Sequence, residues 1–441
     1  MRLFYAIVLT ILAALPARAE VDIQEVTSPG GITAWLVEEH SIPFVALDLR
    51  FRGGASLDAP EKRGATNLMT GLLEEGAGDM DARDFARAAE GLASSFRFSV
   101  DDDALAISTR FLTENQDASI ALLKQAVQFP RFDPDAIERV RGQVLSGIRS
   151  SAKDPNDIAR KKMDELLYGD HPYGSPLSGT KDTVTALTRD DLIAAHKAVL
   201  ARDRIFIGAV GDITPEALGL MLDDLLGDLP KTGAPLPPRA EVTIPSGTTV
   251  VDFPTPQSVA LFAQNGISQK DDDFFTATVL NQVLGGGSFE SRLMTEVREK
   301  RGLTYGVYSS LVPMDLAETI QGSVSSANDR IGQAMDVIKE EWTKAAADGV
   351  TQQELEDAKT YITGSYPLRF DGNQTIASIL VGMQMIDLPI DYIATRNAKV
   401  EAVTLDDVKR VADELLDPEG LAFVVVGQPQ GVDGTAPVQN D

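Results

Sequence analysis

Residues 184–211, VTALTRDDLIAAHKAVLARDRIFIGAVG, recur without a gap at 400–427 as VEAVTLDDVKRVADELLDPEGLAFVVVG. Thr188 falls on Thr404, Asp190 and Asp191 on Asp406 and Asp407, and Gly211 on Gly427. Each copy reads as a threonine N-cap, an amphipathic helix, a short turn and a buried strand. Self-similarity over such a length marks a duplicated unit. Outward from it, FDPDAIERVRGQVLSGI at 132–148 answers VTQQELEDAKTYITGSY at 350–366, each an acidic-capped helix. Further upstream, ITAWLVEEHSIPFVALDLRF at 32–51 and TTVVDFPTPQSVALFAQ at 248–264 open the two copies as strands.

The expected fold class is therefore α+β: two homologous tandem α/β domains at 20–230 and 242–428, each a mostly antiparallel sheet covered by helices on one side. Pro230, Pro235, Pro237 and Pro238 mark a proline-rich linker at 231–241. Residues 429–441 read as a disordered tail. At the other end, Arg2, an apolar run from Leu3 to Leu15, and Ala17-Arg18-Ala19 have the form of a cleavable signal peptide, residues 1–19. The run is too short to cross a bilayer, which takes about 20 apolar residues. Export to a periplasm and no membrane span are the expectations.

The chain has no cysteine, so disulfides, thiolate metal sites and cysteine nucleophiles are excluded. Its formal charge of −26 argues against nucleic acid and anionic membrane surfaces as partners and leans toward cationic ones. Hydrophobic residues make up 43% of 441, enough for two cores. Of the three histidines, none has a second histidine three or four residues away, so the chain holds no helical zinc pair. His40 and His196 read as surface residues and His171 as loop packing. Asp101–Asp103 lack the glycine and distal glutamate of a calcium loop and read as a hairpin turn. Neither G-x-S-x-G nor a phosphate-binding G-x-x-x-x-G-K-[ST] is present.

Two stretches carry more. In RGATNLMTGLLEEGAG, 63–78, the spacing of Leu68, Met69, Leu72 and Leu73 predicts a core helix, yet Asn67, Thr70 and Gly71 form a small neutral face beside that stripe. In LGGGSFESRLMTEVREKRGLTYGVYSS, 284–310, three glycines lead into a helix expected to bury Phe289, Leu293 and Val297. Arg298 and Arg301 fall in its last turn, Gly302 is its expected C-terminal stop, and a strand with Tyr305, Val307 and Ser309 on one face follows.

The second stretch resembles the C-terminal-half signature of the pitrilysin and mitochondrial-processing-peptidase family of zinc peptidases. FRGGASLDAPEKRGATNLM, FDPDAIERVRG, GDHPYGSPLSGT and the tandem halves resemble it too, so the likeness spans nearly the whole chain after residue 19. The resemblance implies half of a clamshell, with Arg298 and Tyr305 as the arginine and tyrosine that this family brings to its active site. It also implies what is lost. Active members carry H-x-x-E-H, two zinc ligands flanking a general base, where this chain has Asn67, Thr70 and Gly71. Their third ligand, a glutamate, falls at Ser146 or Gly147.

The expectation is thus a non-catalytic subunit, inactive alone, with no cofactor of its own. Zinc would sit in a homologous H-x-x-E-H partner of a heterodimer, and Arg298 and Tyr305 would act there in trans on an extended peptide substrate. Gly285, Gly286 and Gly287 stand where the non-catalytic processing-peptidase subunit has a longer glycine-rich loop; they read either as substrate-binding or as a tight strand-to-helix turn. The alternative to the whole reading is a peptidase-fold scaffold or peptide-binding protein with no proteolytic role.

Overall fold

The computed structural model describes residues 21–245, 247–287 and 289–434. Residues 1–19, expected to be a signal peptide, and residues 435–441 lie outside these. Strands β1 (Gln24–Thr27), β2 (Thr33–Glu38), β3 (Phe44–Arg52), β6 (Ser95–Val100), β7 (Ala104–Leu112) and β8 (Ile205–Gly211) form one sheet in the order β1-β2-β8-β3-β7-β6. The two-residue strands β4 (Gly76–Ala77) and β5 (Met80–Asp81) make a separate ribbon. In the second half, β9 (Thr248–Asp252), β10 (Gln257–Asn265), β11 (Val307–Pro313), β12 (Glu318–Ala327) and β13 (Ala422–Gly427) form the other sheet. Read as β9-β13-β10-β12-β11, its order repeats β2-β8-β3-β7-β6. Among the described strands only β2–β8 and β13–β9 run parallel, at equivalent places.

The repeated punctuation has a physical cause in both copies. Thr188 and Thr404 each accept from the backbone N–H three residues on, and Asp191 and Asp407 reach back to the threonine N–H at 2.8 and 3.0 Å. Gly211 and Gly427 close their strands at φ of 140° and 150°, where a Cβ would strike Phe44 O and Ser258 Oγ respectively.

Each sheet buries one face under its own helices. Leu47, Leu49, Phe51, Ile107 and Ile207 meet Leu68, Met69, Leu192 and Leu222 in the first core. Phe262, Phe423 and Val425 meet Ile338 and Trp342 in the second. One-sided cover, however, is not what the strands receive. The second face of the first sheet, through Trp35, Ala46 and Val210, packs on Ala377, Leu380 and Met383 of the second half's helix Asn373–Met385. The second face of the other sheet, through Val259, Ala263, Val424 and Val426, packs on Ala159, Met163 and Leu167 of the first half's helix Pro155–Tyr168. The halves thus exchange equivalent helices. Strands such as AFVVVG, buried at every position, need apolar cover on both sides, and each bare face is met by the other half.

The proline-rich stretch is a docked strap. Ala234 N–H bonds Ala198 O at 3.0 Å, Ala240 N–H bonds Leu316 O at 2.9 Å, and Thr243 N–H bonds Leu167 O at 2.9 Å. The beginning of the expected tail is placed as well: Gln430 N–H donates to Asn328 O at 2.8 Å, and Val432 packs on the second core.

Candidate functional site

The neutral face sits on a helix shorter than its apolar pattern suggests. Helix Ala65–Thr70 stops six residues in; Thr70 Oγ1 donates to Thr66 O at 2.7 Å, and Gly71 is its C-cap. The chain then tightens to i→i+3 bonds, Leu72 N–H to Met69 O and Leu73 N–H to Thr70 O, at 3.0 and 3.3 Å. A threonine bonding back to its own helix, followed by glycine, ends it there. The apolar stripe is core as expected: Leu68, Met69, Leu72 and Leu73 are at most 1% exposed.

The helix entry is braced by signature residues. Asp58 accepts from Gly64 N–H at 2.9 Å, Thr66 N–H at 3.0 Å and Thr66 Oγ1 at 2.6 Å, so a carboxylate meets the positive end of the helix. Arg63, 3% exposed, reaches Asp102 at 2.5 Å and the Pro172 and Ser175 carbonyls at 2.9 Å. What the face presents is Asn67, half-buried, and Gly71, exposed. Thr70 is buried with its hydroxyl committed. A Cβ on Gly71 would meet Val140 Cγ1 at 3.2 Å, so this face abuts the helix Pro134–Ser151 that carries the exposed Ser146 and Gly147. An amide, a spent hydroxyl and two glycines do not fit zinc. Among the described residues no group of three or more His, Asp or Glu side chains could hold a metal.

The histidines supply none either. His40 lies exposed between Asp212 and Glu38, at 2.7 and 3.3 Å. His171 accepts from Tyr173 N–H at Nδ1, 3.2 Å, and donates from Nε2 to Pro238 O, 3.0 Å, a packing role that ties the strap down. His196 differs from the surface reading: it is half-buried, with Nε2 bonded to Val127 O at 2.7 Å and its ring edge-on to Phe132. Asp101–Asp103 form the hairpin turn expected, Asp101 Oδ1 accepting from Asp103 and Ala104 N–H.

The arginine-tyrosine segment is organised differently. Leu293 and Val297 are fully buried, but Phe289 is 67% exposed and lies ahead of the helix. Over Met294–Glu299 the helix widens to π geometry, with Lys300 N–H bonded to Thr295 O at 2.9 Å. Such an extra residue in a turn often accompanies function. Gly302, at φ 61°, stops it as expected, and Leu303 N–H closes onto Val297 O at 3.0 Å.

Within this segment the cations are sorted. Arg292 holds Glu354 through two bonds, 2.7 and 2.8 Å. Burial pushes Glu354 up, but Arg292 and the Thr351 N–H prevail and hold it at about 2. Arg301 and Lys300 share Glu296 at 2.7 and 2.5 Å. Among the described residues Arg298 pairs with no carboxylate; its guanidinium lies over the Phe289 ring, 4.8 Å from the centroid. Tyr305 is 89% exposed. It lies in the loop before β11 rather than on the strand, because Thr304 Oγ1 is pinned to Ser325 O at 2.7 Å and Gly306 O at 2.8 Å, and the strand begins at Val307.

The three glycines follow a helix, Phe274–Leu284, instead of a strand. Gly285 lies so close to β11 that a Cβ would strike Ser309, whose N–H donates to Gly285 O at 2.8 Å. Gly287, at φ 82°, is the member of the triplet with open space around it. The neutral face belongs to the first core and the Arg298–Tyr305 segment to the second, and no hydrogen bond or ion pair joins them among the described residues.

Comparison with known proteins fits this geometry. Residues 34–181 match the family profile described as "Insulinase (Peptidase family M16)", and residues 186–362 match "Peptidase M16 inactive domain". A relative from Helicobacter pylori named "Non-peptidase homolog YmxG" is 29% identical over 397 residues, 88% of this chain and 90% of that protein. An uncharacterized zinc protease of Mycobacterium leprae is 25% identical over 397 residues, 89% of this chain and 88% of its own. The crystal structure of a peptidase M16 inactive domain from Pseudomonas fluorescens superposes with a TM-score of 0.85 at 28% identity, covering 95% of this chain and 100% of that one.

Proposed function

This chain belongs to the M16 peptidase family as a non-catalytic, peptidase-fold protein, and from that premise we propose that it serves as the zinc-free subunit of a heterodimeric peptidase. In this reading an H-x-x-E-H homologue brings zinc and the general base. This chain closes the chamber and presents Arg298 and Tyr305 to the substrate at the partner's metal. The observation that carries the reading is the contrast within one segment: Arg292, Lys300 and Arg301 are each paired with a carboxylate, while Arg298 has none among the described residues and Tyr305 stands exposed. A fold kept only as scaffold has no use for an unpaired guanidinium and a solvent-facing phenol seven residues apart in one segment.

Their chemistry suits the role. Guanidinium and phenol donate to a developing oxyanion and fix a peptide backbone, and neither needs a metal on its own chain. The substrate is an extended peptide, with the acidic surface favouring basic ones, and the site of action is the periplasm. Gly287 is the glycine of the triplet left free to touch a peptide. Co-expression with an H-x-x-E-H homologue from the same genome tests the proposal: peptide cleavage should require both chains. Full activity of the homologue alone would leave only the scaffold reading.

A further inference from the structure

The two halves meet tip to tip. The β6–β7 turn, Asp101–Asp103, stands against the β11–β12 turn at residues 314–317, and the strap crosses beside them. Between the three lies a cavity of about 270 Å³. Arg52 and Asp103 of the first half, Arg239 of the strap, and Lys270, Asp315 and Glu318 of the second half supply its charges. Leu236 of the strap, with Met314, Leu316 and Met385 of the second half, supplies apolar wall. The space exceeds a cavity of about 150 Å³ that takes up benzene and falls at the small end of ligand pockets. It suits one side chain or a small molecule.

The charges of this wall pair off and leave one over. Arg52 pairs with Asp315 at 2.9 Å, Arg239 with Glu318, and Lys270 with Asp387 beyond the lining residues. Among the described residues no cation pairs with Asp103. One of its oxygens accepts from Tyr173 Oη and the other from Asp315 N–H at 3.1 Å, while Tyr173 Oη accepts from Leu316 N–H at 3.2 Å. These neutral donors favour the charged carboxylate without cancelling its charge. The charges that act on it most, Asp101 and Asp315, are negative as well. Lys270 is taken by Asp387, and its charge is felt at Asp315. A desolvated anion without a counter-ion is costly, and a cation set beside it recovers part of that cost. Each carboxylate oxygen has two lone pairs, so one on each remains open.

We propose that this cavity binds a primary ammonium carried on an apolar stem, with the ammonium against Asp103 and the stem along Leu236, Met314 and Met385. A lysine side chain and the amino end of a short peptide are two sources of that chemistry. The ammonium is the compact cation for so small a space, and its three donors match the open lone pairs. An anion would meet the unpaired charge of Asp103 as repulsion, and a neutral ligand would leave that charge alone. A metal ion fits less well, since among the described residues no group of three His, Asp or Glu side chains could hold one. The wall is drawn from both halves and the strap, so an occupant ties the three together and should raise the melting temperature. Binding is read on this chain by itself, so the inference stands whether or not Arg298 and Tyr305 serve a partner.

Titration calorimetry on the intact chain tests this with three probes: n-butylammonium, Nα-acetyl-lysine amide and norleucine amide. A buffer of about pH 7.5 keeps Asp103 charged, because burial raises it only to about 6. Binding of n-butylammonium is expected. Binding of the acetylated lysine amide then assigns the site to a side-chain ammonium, and binding of norleucine amide assigns it to an amino end. Neutral n-butanol should not bind. Asp103→Asn should weaken the ammonium probes by roughly 10-fold or more and remove their effect on the melting temperature. Leu236→Trp, on the exposed face of the strap, fills the cavity while leaving the charge in place; it should weaken them as much, and it serves if Asp103→Asn fails to fold. Failure of all three ammonium probes to bind, equal binding of n-butanol, or unchanged affinity in a folded Asp103→Asn chain overturns the proposal.

Discussion

Helix Ala65–Thr70 and the π turn Met294–Glu299 occupy the two copies of one duplicated fold, and they have kept opposite things. The first keeps its packing and its brace, with Leu68 and Met69 fully buried and Asp58 and Arg63 holding the entry, but its outward face is chemically mute. The second keeps side chains with no packing duty: Arg298 rests on Phe289 and Tyr305 points into solvent. A helix can therefore hold its core without a metal-binding face, because the two faces of that helix answer to different demands. The survival of Arg298 and Tyr305 is the part that core stability does not explain.

The comparison can be broken most forcefully at the second region. Arg298→Ala or Tyr305→Phe should lower the turnover of the reconstituted pair by roughly 100- to 1,000-fold. Neither should shift the melting temperature of this chain, as read by calorimetry. In the first region the reverse is expected. Leu68→Ala should destabilise the chain by about 2–5 kcal/mol in denaturant titration, with the pair's turnover unchanged wherever the chain is folded. The Arg292–Glu354 pair tests the scaffold of the π turn. Glu354 is held at about 2 against 4.5 when free, so its stabilisation is present above 4.5 and lost as pH falls from there toward 2. Glu354→Gln should abolish that part of the acid sensitivity in melting curves. A smaller effect belongs to Phe289→Ala: loss of a cation–π contact of about 0.5–1 kcal/mol should cost turnover a few-fold, partly restored by Phe289→Tyr. Last, Asn67→Ala should change stability by less than about 0.5 kcal/mol and zinc content not at all, measured by denaturation and metal analysis.

Much of the architecture was legible because the chain states it twice. The gapless repeat from Thr188 and Thr404 to Gly211 and Gly427 fixes cap, helix, strand and closing glycine in each half. The unbroken apolar run AFVVVG signals burial on both faces, yet which helix covers the second face depends on packing between residues 261 to 263 apart in sequence, Met163 sharing a buried cluster with Val424 and Val426. Local pattern is silent on that. At the candidate site, the neutral residues at 67, 70 and 71 were readable directly. The early end of their helix was not, because the apolar spacing of Leu72 and Leu73 survives the change from α to i→i+3 turns. The spacing of Phe289 from Leu293 and Val297 places it in the core, a periodicity that fails because the helix starts after it and then widens. Tyr305 fell to alternation in the same way, since Thr304 anchors a loop where the pattern continues as strand.

On the proposed reading this chain lends side chains to a metal site it does not contain. The most direct test is steady-state kinetics of the co-expressed pair carrying Tyr305→Phe in this chain alone, with complex formation confirmed by sedimentation and zinc counted per heterodimer. The expected outcome is an intact complex, zinc undiminished in the partner and a kcat reduced by roughly 100-fold or more. An unchanged kcat in an intact, zinc-loaded complex contradicts it.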